Sequence, residues 1–469
     1  MSETIVEQLD HIFKPKSVAI IGASGIVEKW GGRLLQRALN SNFRGNIYPV
    51  NPKVKELMGV KAYADVRDIP GEVEMAVFTV TAAQMPAMMK ACVEKGVRGG
   101  VIISADFAET GETGKKLEEE TVRIARAGNL RFVGPNCNGI WCSASNLNMT
   151  PAESRMSGPV AFISQSGSFG GIAGRITLSR GYGLSKFIAI GNQGDLTATD
   201  YLEYLSHDDD TKVITMYMEG FKDGQRFFDV AREVAARKPI LLMKGGRSDV
   251  GARATMSHTA SIAGSDEVFD AICRQAGIIR VHQMDHLFIM AEPLFSQPLP
   301  KGKRVGVLAN GGEGVVACDN LIALGMEVPE FTKEDSQRLK AMLPPHAPNP
   351  RNPVDFAAGN FDSAAEVKVF DALASLDSVD AILTLVPRDR SYKETYAERR
   401  KDVIDAVNAF GEIPGKYGKP MIGLFWRHLE VIDDALKQYN IPQFDNVEQA
   451  SLAMAALVKY GEIKRRLSQ

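Results

Sequence analysis

The chain has 469 residues, with 55 Lys plus Arg against 57 Asp plus Glu and a formal net charge of −2. At about 150 residues per domain, that length predicts three domains. A hydrophobic fraction of 45% with 24% charged residues excludes a largely disordered chain, and the charge balance argues against a polybasic binder of nucleic acid or membrane.

The N-terminal stretch MSETIVEQLDHIF carries acids and no apolar run, so it does not read as a signal peptide. No stretch approaches about 18 consecutive apolar residues, and no membrane span is predicted. The five cysteines, Cys92, Cys137, Cys142, Cys273 and Cys318, are scattered without a CxxC pair. That pattern fits a reducing cytoplasm rather than a disulfide framework.

Short apolar runs at Ser17–Ile21, Ile47–Val50, Met75–Val80, Gly100–Ser104 and Arg131–Val133 read as strands. Helical stretches lie among them, at about Gly31–Leu39 and Thr113–Ala127. A polar segment at Ala144–Gly158 reads as a linker. Strands resume at Val160–Ser164, Lys212–Met216 and Ile240–Met243, with a helix at Asp223–Ala236. A second linker, Pro293–Lys303, holds three prolines. The last strands are Arg304–Ala309, Ala381–Val386 and Met421–Phe425. Nearly continuous apolar strands alternating with helices predict an α/β, doubly wound architecture with strands buried on both faces.

Ser17–Gly25 reads SVAIIGASG, a strand running into a Gly-x-x-Gly turn and then a helix. Its backbone N–H groups suit a pyrophosphate, which a Cβ at Gly22 or Gly25 would obstruct. The second strand ends Val50-Asn51-Pro52-Lys53. An NAD site would have an acid there; a Lys suits a nucleotide with an extra ribose phosphate, coenzyme A or NADP. Gly134-Pro135-Asn136-Cys137-Asn138-Gly139 closes this first region. Asn136 and Cys137 read as loop-shaping residues at a ligand mouth; a nucleophilic Cys137 is the lesser alternative, with no His nearby in sequence.

VAFISQSGSFGG at 160–171 and VGVLANGGEGVV at 305–316 form a weak repeat. Each is a buried strand, a Gly-rich turn and a helix start, which aims N–H groups at an anion. His258, in Met256–Gly264, sits among small residues, the setting of an accessible imidazole that can carry a phosphoryl group. Such a ring needs an acceptor to orient it, and Glu219 at the end of ITMYMEG is the candidate. His282 and His286 with Asp285 have helical spacing for a metal, but read better as a solvated helix face, so no metal site is predicted.

On SVAIIGAS, YPVNPK, SADFAETGE, GPNCNG, SQSGS, GNQGD, YMEG, SHTAS, NGGEG and NPVD, the chain resembles the α subunit of nucleoside-diphosphate-forming acyl-CoA synthetases. These are the ADP-forming acetyl-CoA synthetase type, relatives of succinyl-CoA synthetase. The resemblance spans about Phe13 to Leu467. It implies a Rossmann-like CoA-binding domain at 1–145 followed by two flavodoxin-like domains, at 155–295 and 302–469. It implies CoA contacts from Gly22, Ala23, Ser24, Gly25, Asn51, Lys53, Val80, Thr81, Ser104, Asn136 and Cys137. His258 would be phosphorylated and held by Glu219. The turns at Ser166, Gly167, Ser168 and at Gly311, Gly312 would bind the phosphate.

The implied reaction interconverts acyl-CoA, ADP and phosphate with a carboxylic acid, CoA and ATP. ATP or ADP and Mg²⁺ would sit on a separate ATP-grasp β subunit, since no Walker A motif occurs here, giving an α₂β₂ assembly. Two positions depart from the family pattern: Asp106, where a Gly is expected, and Asn138, where an apolar residue or Pro is usual. Competing readings are an NADP-linked oxidoreductase and a non-catalytic CoA-binding regulatory protein.

Overall fold

The run Ser17–Ile21 becomes strand β1, buried at every position. A computed structural model describes residues 3–151, 156–253, 265–357, 363–385, 393–424 and 438–468. The chain divides into two units, Met1–Leu287 and Phe288–Gln469.

Unit one opens with helix α1 (Ile5–Phe13), started by a capping box between Thr4 and Glu7. Such a box satisfies two otherwise unpaired N–H groups at once. After β1 come α2 (Trp30–Asn40), β2 (Asn46–Val50), a small hairpin of β3 (Glu56–Leu57) and β4 (Val60–Lys61), and β5 (Met75–Phe78). They are followed by α3 (Met85–Lys95), β6 (Gly99–Ile102), α4 (Glu112–Ala127) and β7 (Arg131–Val133). Strands β2-β1-β5-β6-β7 form one sheet, parallel throughout. Ala19, Ile21, Phe78, Ile102 and Phe132 fill one of its faces with Met85 and Met89 of α3. Burial on both faces explains why these strands are continuous apolar runs.

The second sheet contains β8 (Ile140–Cys142), β9 (Leu147–Met149), β10 (Ser157–Ser164), β11 (Leu184–Ala189), β12 (Val213–Met218), β13 (Ile240–Lys244) and β14 (Ile279–Val281). Its order is β14-β13-β12-β10-β11-β8-β9. Strands β10 to β14 pair in parallel, whereas β8 and β9 add antiparallel at the edge. The segment 144–158 therefore carries β9 and the first residues of β10, and is not a plain linker. Helices α5 (Phe169–Ser179), α6 (Ala198–Ser206) and α7 (Gly224–Ala235) connect the parallel strands.

Strand β11, LSKFIA, escapes the apolar pattern because Lys186 lies inside the sheet. Its Nζ donates to Asp208 Oδ2 at 2.6 Å, and both side chains are buried. A buried charge is tolerable only when paired in this way.

Unit two is built on β15 (Val305–Ala309), β16 (Val354–Asp355), β17 (Ala381–Leu385), β18 (Met421–Leu424) and β19 (Gln443–Phe444), in the order β16-β15-β17-β18-β19. All pair in parallel. Leu308 and Ile382 face Phe370, Leu373 and Phe410. Val307 and Leu383 face the other way, toward Met454 and Leu457 of the helix Val447–Leu467. That alternation is the period of two of a strand covered by helices on both faces. Pro293 lies inside the helix Met284–Ser296, so the segment 293–303 begins as helix rather than as linker.

The parallel core of each sheet has the same order. Counting along the chain it is 2-1-3-4-5, the flavodoxin-like arrangement whose ligand crevice opens between its strands 1 and 3.

Candidate functional site

In the first sheet that crevice lies between the ends of β1 and β5. Gly22 follows β1 with φ +88, and its N–H donates to Val50 O at 3.1 Å. A Cβ there would stand 2.9 Å from Thr79 Oγ1 and 3.0 Å from Val80 Cγ1, and one at Gly31 would stand 2.2 Å from Gly22 O. The turn therefore needs glycine for conformation and for packing. Asn51 Nδ2 donates to Ala23 O at 2.8 Å, and Asn51 Oδ1 accepts from the Lys53 N–H at 2.8 Å. Ser24 Oγ accepts from the Ile26 N–H at 3.0 Å. Ser104 Oγ donates to Val80 O, and the Asn136 N–H donates to Ser104 O at 2.9 Å.

These contacts link the ends of β2, β1, β5, β6 and β7 along one sheet edge. Gly25, Lys53 and Thr81 are exposed beside them. Thr79, absent from the sequence-based candidates, braces the turn by donating to Ile21 O and Gly22 O at 3.0 and 3.1 Å.

Cys137 points inward. It is 4% exposed, its Sγ is 3.2 Å from Ile102 O, and burial pushes its thiol up to about 12. Asp106 has φ +73, a left-handed conformation that favours Gly and that Asp tolerates better than most residues. Asn138 lies against the turn after β10, since a Cβ at Gly167 would come within 2.4 to 2.6 Å of its side chain.

In the second sheet the crevice lies between the ends of β10 and β12. Glu219 follows β12 and is 4% exposed. Its N–H and that of Gly220 donate to Gln165 Oε1 at 2.9 and 3.3 Å, while the Gln165 N–H donates to Tyr217 O at 3.0 Å. The main chain at 219 and 220 is thus tied to the residue that precedes the turn Ser166-Gly167-Ser168, which opens α5. Ser166 Oγ and Ser168 Oγ lie 3.1 Å apart. Ser168 is the cap of α5, and its side chain makes no capping hydrogen bond. The first N–H groups of a helix have no partner inside it and suit an anion.

Sequence alone does not single out Gln165, Tyr217 or Gly245. The i, i+2 spacing of Tyr217 and Glu219, which puts both on one strand face, was the available signal. His258 lies outside the described residues.

The loop 190–195 (the GNQGD motif with Ile190 before it) ties this sheet to the first. The N–H groups of Asn192 and Gly194 donate to Pro135 O and Gly134 O, each at 2.9 Å. Asn136 Nδ2 donates to Asn192 Oδ1 at 3.3 Å, and Asn192 Nδ2 donates to Glu118 Oε2 at 3.1 Å. Burial pushes the Glu118 carboxyl above its ordinary value.

In unit two, Gly311 has φ +85, and its N–H donates to Asp355 Oδ1 at 2.9 Å. Gly312 precedes the helix Glu313–Ala323. Both glycines are exposed, at the end of β15. The histidine pair is not assembled around a common centre: His282 Nδ1 contacts Arg247 Nη1 at 2.6 Å. Among the described residues, no group of three or more His, Cys, Asp or Glu is placed to hold a metal ion, and no helix is long and apolar enough to cross a membrane.

Two family models match the chain: a CoA binding domain over residues 16–143 and a succinyl-CoA ligase like flavodoxin domain over residues 157–294. The α subunit of acetate–CoA ligase [ADP-forming] II from Pyrococcus furiosus is 37% identical over 458 residues, covering 96% of this chain and 97% of that subunit. The chain belongs to the ADP-forming acetate–CoA ligase α-subunit family. It is accordingly a subunit of an acid–thiol ligase of the NDP-forming type.

The 4-hydroxybutyrate–CoA ligase [ADP-forming] of Nitrosopumilus maritimus is 30% identical across 96% of this chain, which covers 64% of that protein. Among solved structures, a dinucleotide-forming acetyl-coenzyme A synthetase 1 from Candidatus Korarchaeum cryptofilum, in complex with phosphate and ADP, superposes with a TM-score of 0.86. It is 33% identical, with 98% of each chain covered. In this chain a CoA-binding domain precedes a flavodoxin-like one.

Proposed function

We propose that this α subunit carries out the acyl and histidine stages of the ligase reaction, and that a separate ATP-grasp β subunit carries out the nucleotide stage. Three steps follow. Inorganic phosphate attacks the thioester carbonyl, forming an acyl phosphate and releasing CoA as its thiol. The His258 imidazole then attacks phosphorus, releasing the carboxylate. Phosphohistidine finally passes its phosphoryl group to ADP, giving ATP and free imidazole. The nucleotide and its Mg²⁺ belong to the partner, where the metal would neutralise charge on the transferring phosphate.

The observation that carries this reading is the buried Glu219, clamped through Gln165 beside the Ser166–Ser168 turn. A carboxylate there suits a role of orienting His258 through one ring nitrogen while the other takes the phosphoryl group. The N-terminus of α5 would stabilise the phosphate by roughly 1 kcal/mol, more where partly buried. Gly22–Gly25, Asn51, Lys53, Val80, Thr81, Ser104 and Asn136 would receive CoA along the edge of the first sheet. Cys137 would support that loop from beneath.

Relatives support the division of labour. The chain covers 99% of the α subunit of the P. furiosus acetate–CoA ligase [ADP-forming] I, but 64% of the Methanocaldococcus jannaschii acetate–CoA ligase [ADP-forming]. The additional length of the latter is where a fused partner would fit. We expect an α₂β₂ assembly in the cytoplasm.

The test mixes the chain with an ATP-grasp subunit, γ-labelled ATP and Mg²⁺. Acid-labile, base-stable label is expected on the wild type and is expected to disappear in His258→Ala. Equal labelling of His258→Ala overturns the assignment, and a folded, partnered wild type that never labels overturns the mechanism.

A further inference from the structure

Tyr217 occupies a position that the ligase reaction as outlined does not use. It is the fifth residue of β12 (Val213–Met218), two residues before Glu219 and therefore on the same face of the strand. Its hydroxyl donates to Glu219 Oε1 at 3.4 Å. Its ring stands edge-on against that of Phe169, with centroids 4.4 Å apart and planes at 80°. Phe169 is the first residue of α5, directly after the Ser166-Gly167-Ser168 turn.

The third neighbour is Gly245, at the end of β13, whose N–H donates to Met218 O at 2.8 Å. A Cβ on Gly245 would stand 2.4 Å from the Tyr217 hydroxyl oxygen and 3.3 Å from Glu219 Cγ. Glycine at 245 thus leaves room for this phenol–carboxylate pair. Burial, together with the adjacent carboxylate, raises the phenol well above its ordinary value, so it stays a proton donor throughout the neutral range.

We propose that Tyr217 is a positioning residue for the phosphoryl-transfer step: its hydroxyl fixes the Glu219 carboxylate, and its ring fixes the start of the α5 phosphate turn. This rests on the proposed role of Glu219 as the acceptor that orients His258. A carboxylate swings about its last torsions unless something holds it, because the wells of such sp²-terminated torsions are broad. Gln165 holds the main chain of residues 219 and 220. Tyr217 adds a side-chain restraint, and it ties the acid to the helix end that would receive the phosphate. Misplacement of a catalytic group by an ångström or less is costly to rate.

The two halves of Tyr217 separate by mutation. In the complex with the ATP-grasp partner, Tyr217→Phe removes the hydroxyl and keeps the ring. Loss of one hydrogen bond of this kind is expected to slow single-turnover phosphorylation of His258 about fivefold to tenfold. KM for CoA and KM for phosphate should stay at wild-type values, and so should the melting temperature. Tyr217→Leu removes the ring as well and should additionally raise KM for phosphate. Gly245→Ala, which crowds the hydroxyl, should slow phosphorylation like Tyr217→Phe; it also carries the test if Tyr217→Phe does not fold.

Phosphorylation of Tyr217→Phe and Gly245→Ala at the wild-type rate overturns the inference. So does a slowed Tyr217→Phe whose KM for CoA and melting temperature change in parallel, because that is the signature of a purely structural residue. Labelling of His258→Ala in the same experiment would instead overturn the underlying reading, which keeps the two failures distinct.

Discussion

The thiol of Cys137 sits in a loop that frames a predicted ligand mouth, and its surroundings decide its chemistry. It is buried against Ile102 O, and burial pushes it up to about 12. A thiolate, not a thiol, is the nucleophile, so at pH 8 the reactive fraction is roughly a thousandfold below that of a free cysteine. Native-state alkylation at Cys137 is therefore expected to follow unfolding. Cys137→Ala should keep kcat within about threefold of wild type, at a cost of about 1 kcal/mol for the lost buried atoms. Peptide mapping after iodoacetamide, with steady-state assay of the variant, checks both. A collapse of kcat in a folded Cys137→Ala would return Cys137 to the list of nucleophiles. Gly22 shows the converse case, in which absence of a side chain is the requirement. Gly22→Ala combines an unfavourable φ of +88 with a contact 2.9 Å from Thr79 Oγ1. It should weaken CoA binding by at least tenfold in titration calorimetry while leaving the second sheet folded.

Elements, rather than single residues, carry the seam between the first two sheets. Asp195, 2% exposed, accepts from Arg126 Nε at 2.8 Å, Arg131 Nε at 2.9 Å and the Phe132 N–H at 3.0 Å. Asp195→Ala strands two guanidinium groups and one backbone donor. Since both arginines are partly exposed, the expected loss is discounted to about 2 kcal/mol, read as an earlier urea midpoint for unit one.

In unit two, Arg304 makes a bidentate pair with Asp380, both distances being 2.8 Å. It joins the start of β15 to the residue before β17. The hydrogen bonds from Arg304 hold the Asp380 carboxyl below its ordinary value. A depressed carboxyl contributes stability that is complete above the unfolded-state pKa, near 3.9, and is lost as pH falls through the folded value. Asp380→Asn should therefore destabilise unit two at pH 7, and the difference from wild type should shrink on acidification below about pH 4.

These same contacts mark where sequence stops being informative. Strands β1, β12 and β13 are apolar runs because helices cover both faces, and periodicity alone finds them. LSKFIA does not read as a strand, because the partner that makes Lys186 tolerable is Asp208, 22 residues away. Gly22 and Glu219 are legible at their sites because turn chemistry and strand ends are local. Gln165, Asn192 and Thr79 are not, because each acts through a hydrogen bond that only the fold creates.

At the scale of the molecule, one topology recurs three times, the parallel core of each large sheet being ordered 2-1-3-4-5. Gly22, Ser166 and Gly311 follow the first parallel strand of their sheets, where crevices form. Recurrence of the turn does not mean recurrence of the ligand. In the first sheet the turn contacts Asn51, and β2 ends in Val50-Asn51-Pro52-Lys53 without an acid. In the second it faces a buried carboxylate. A site that is only cationic and amide-rich suits the phosphates of CoA, whereas one that adds a carboxylate suits a group that must be oriented before it reacts.

The division of labour proposed for the ligase then makes an asymmetric prediction about the chain alone. The acyl-phosphate and histidine stages call on groups of this subunit, and the nucleotide stage calls on the partner. Incubated without a partner, the chain should take acid-labile label from radioactive inorganic phosphate when acetyl-CoA is present, and lose it when His258 is replaced by Ala. From γ-labelled ATP it should take none until the ATP-grasp subunit is added. If ATP labels the isolated chain, the nucleotide site lies within these 469 residues and the proposed partition is wrong. If neither donor labels it, the acyl-phosphate and histidine stages also depend on the partner.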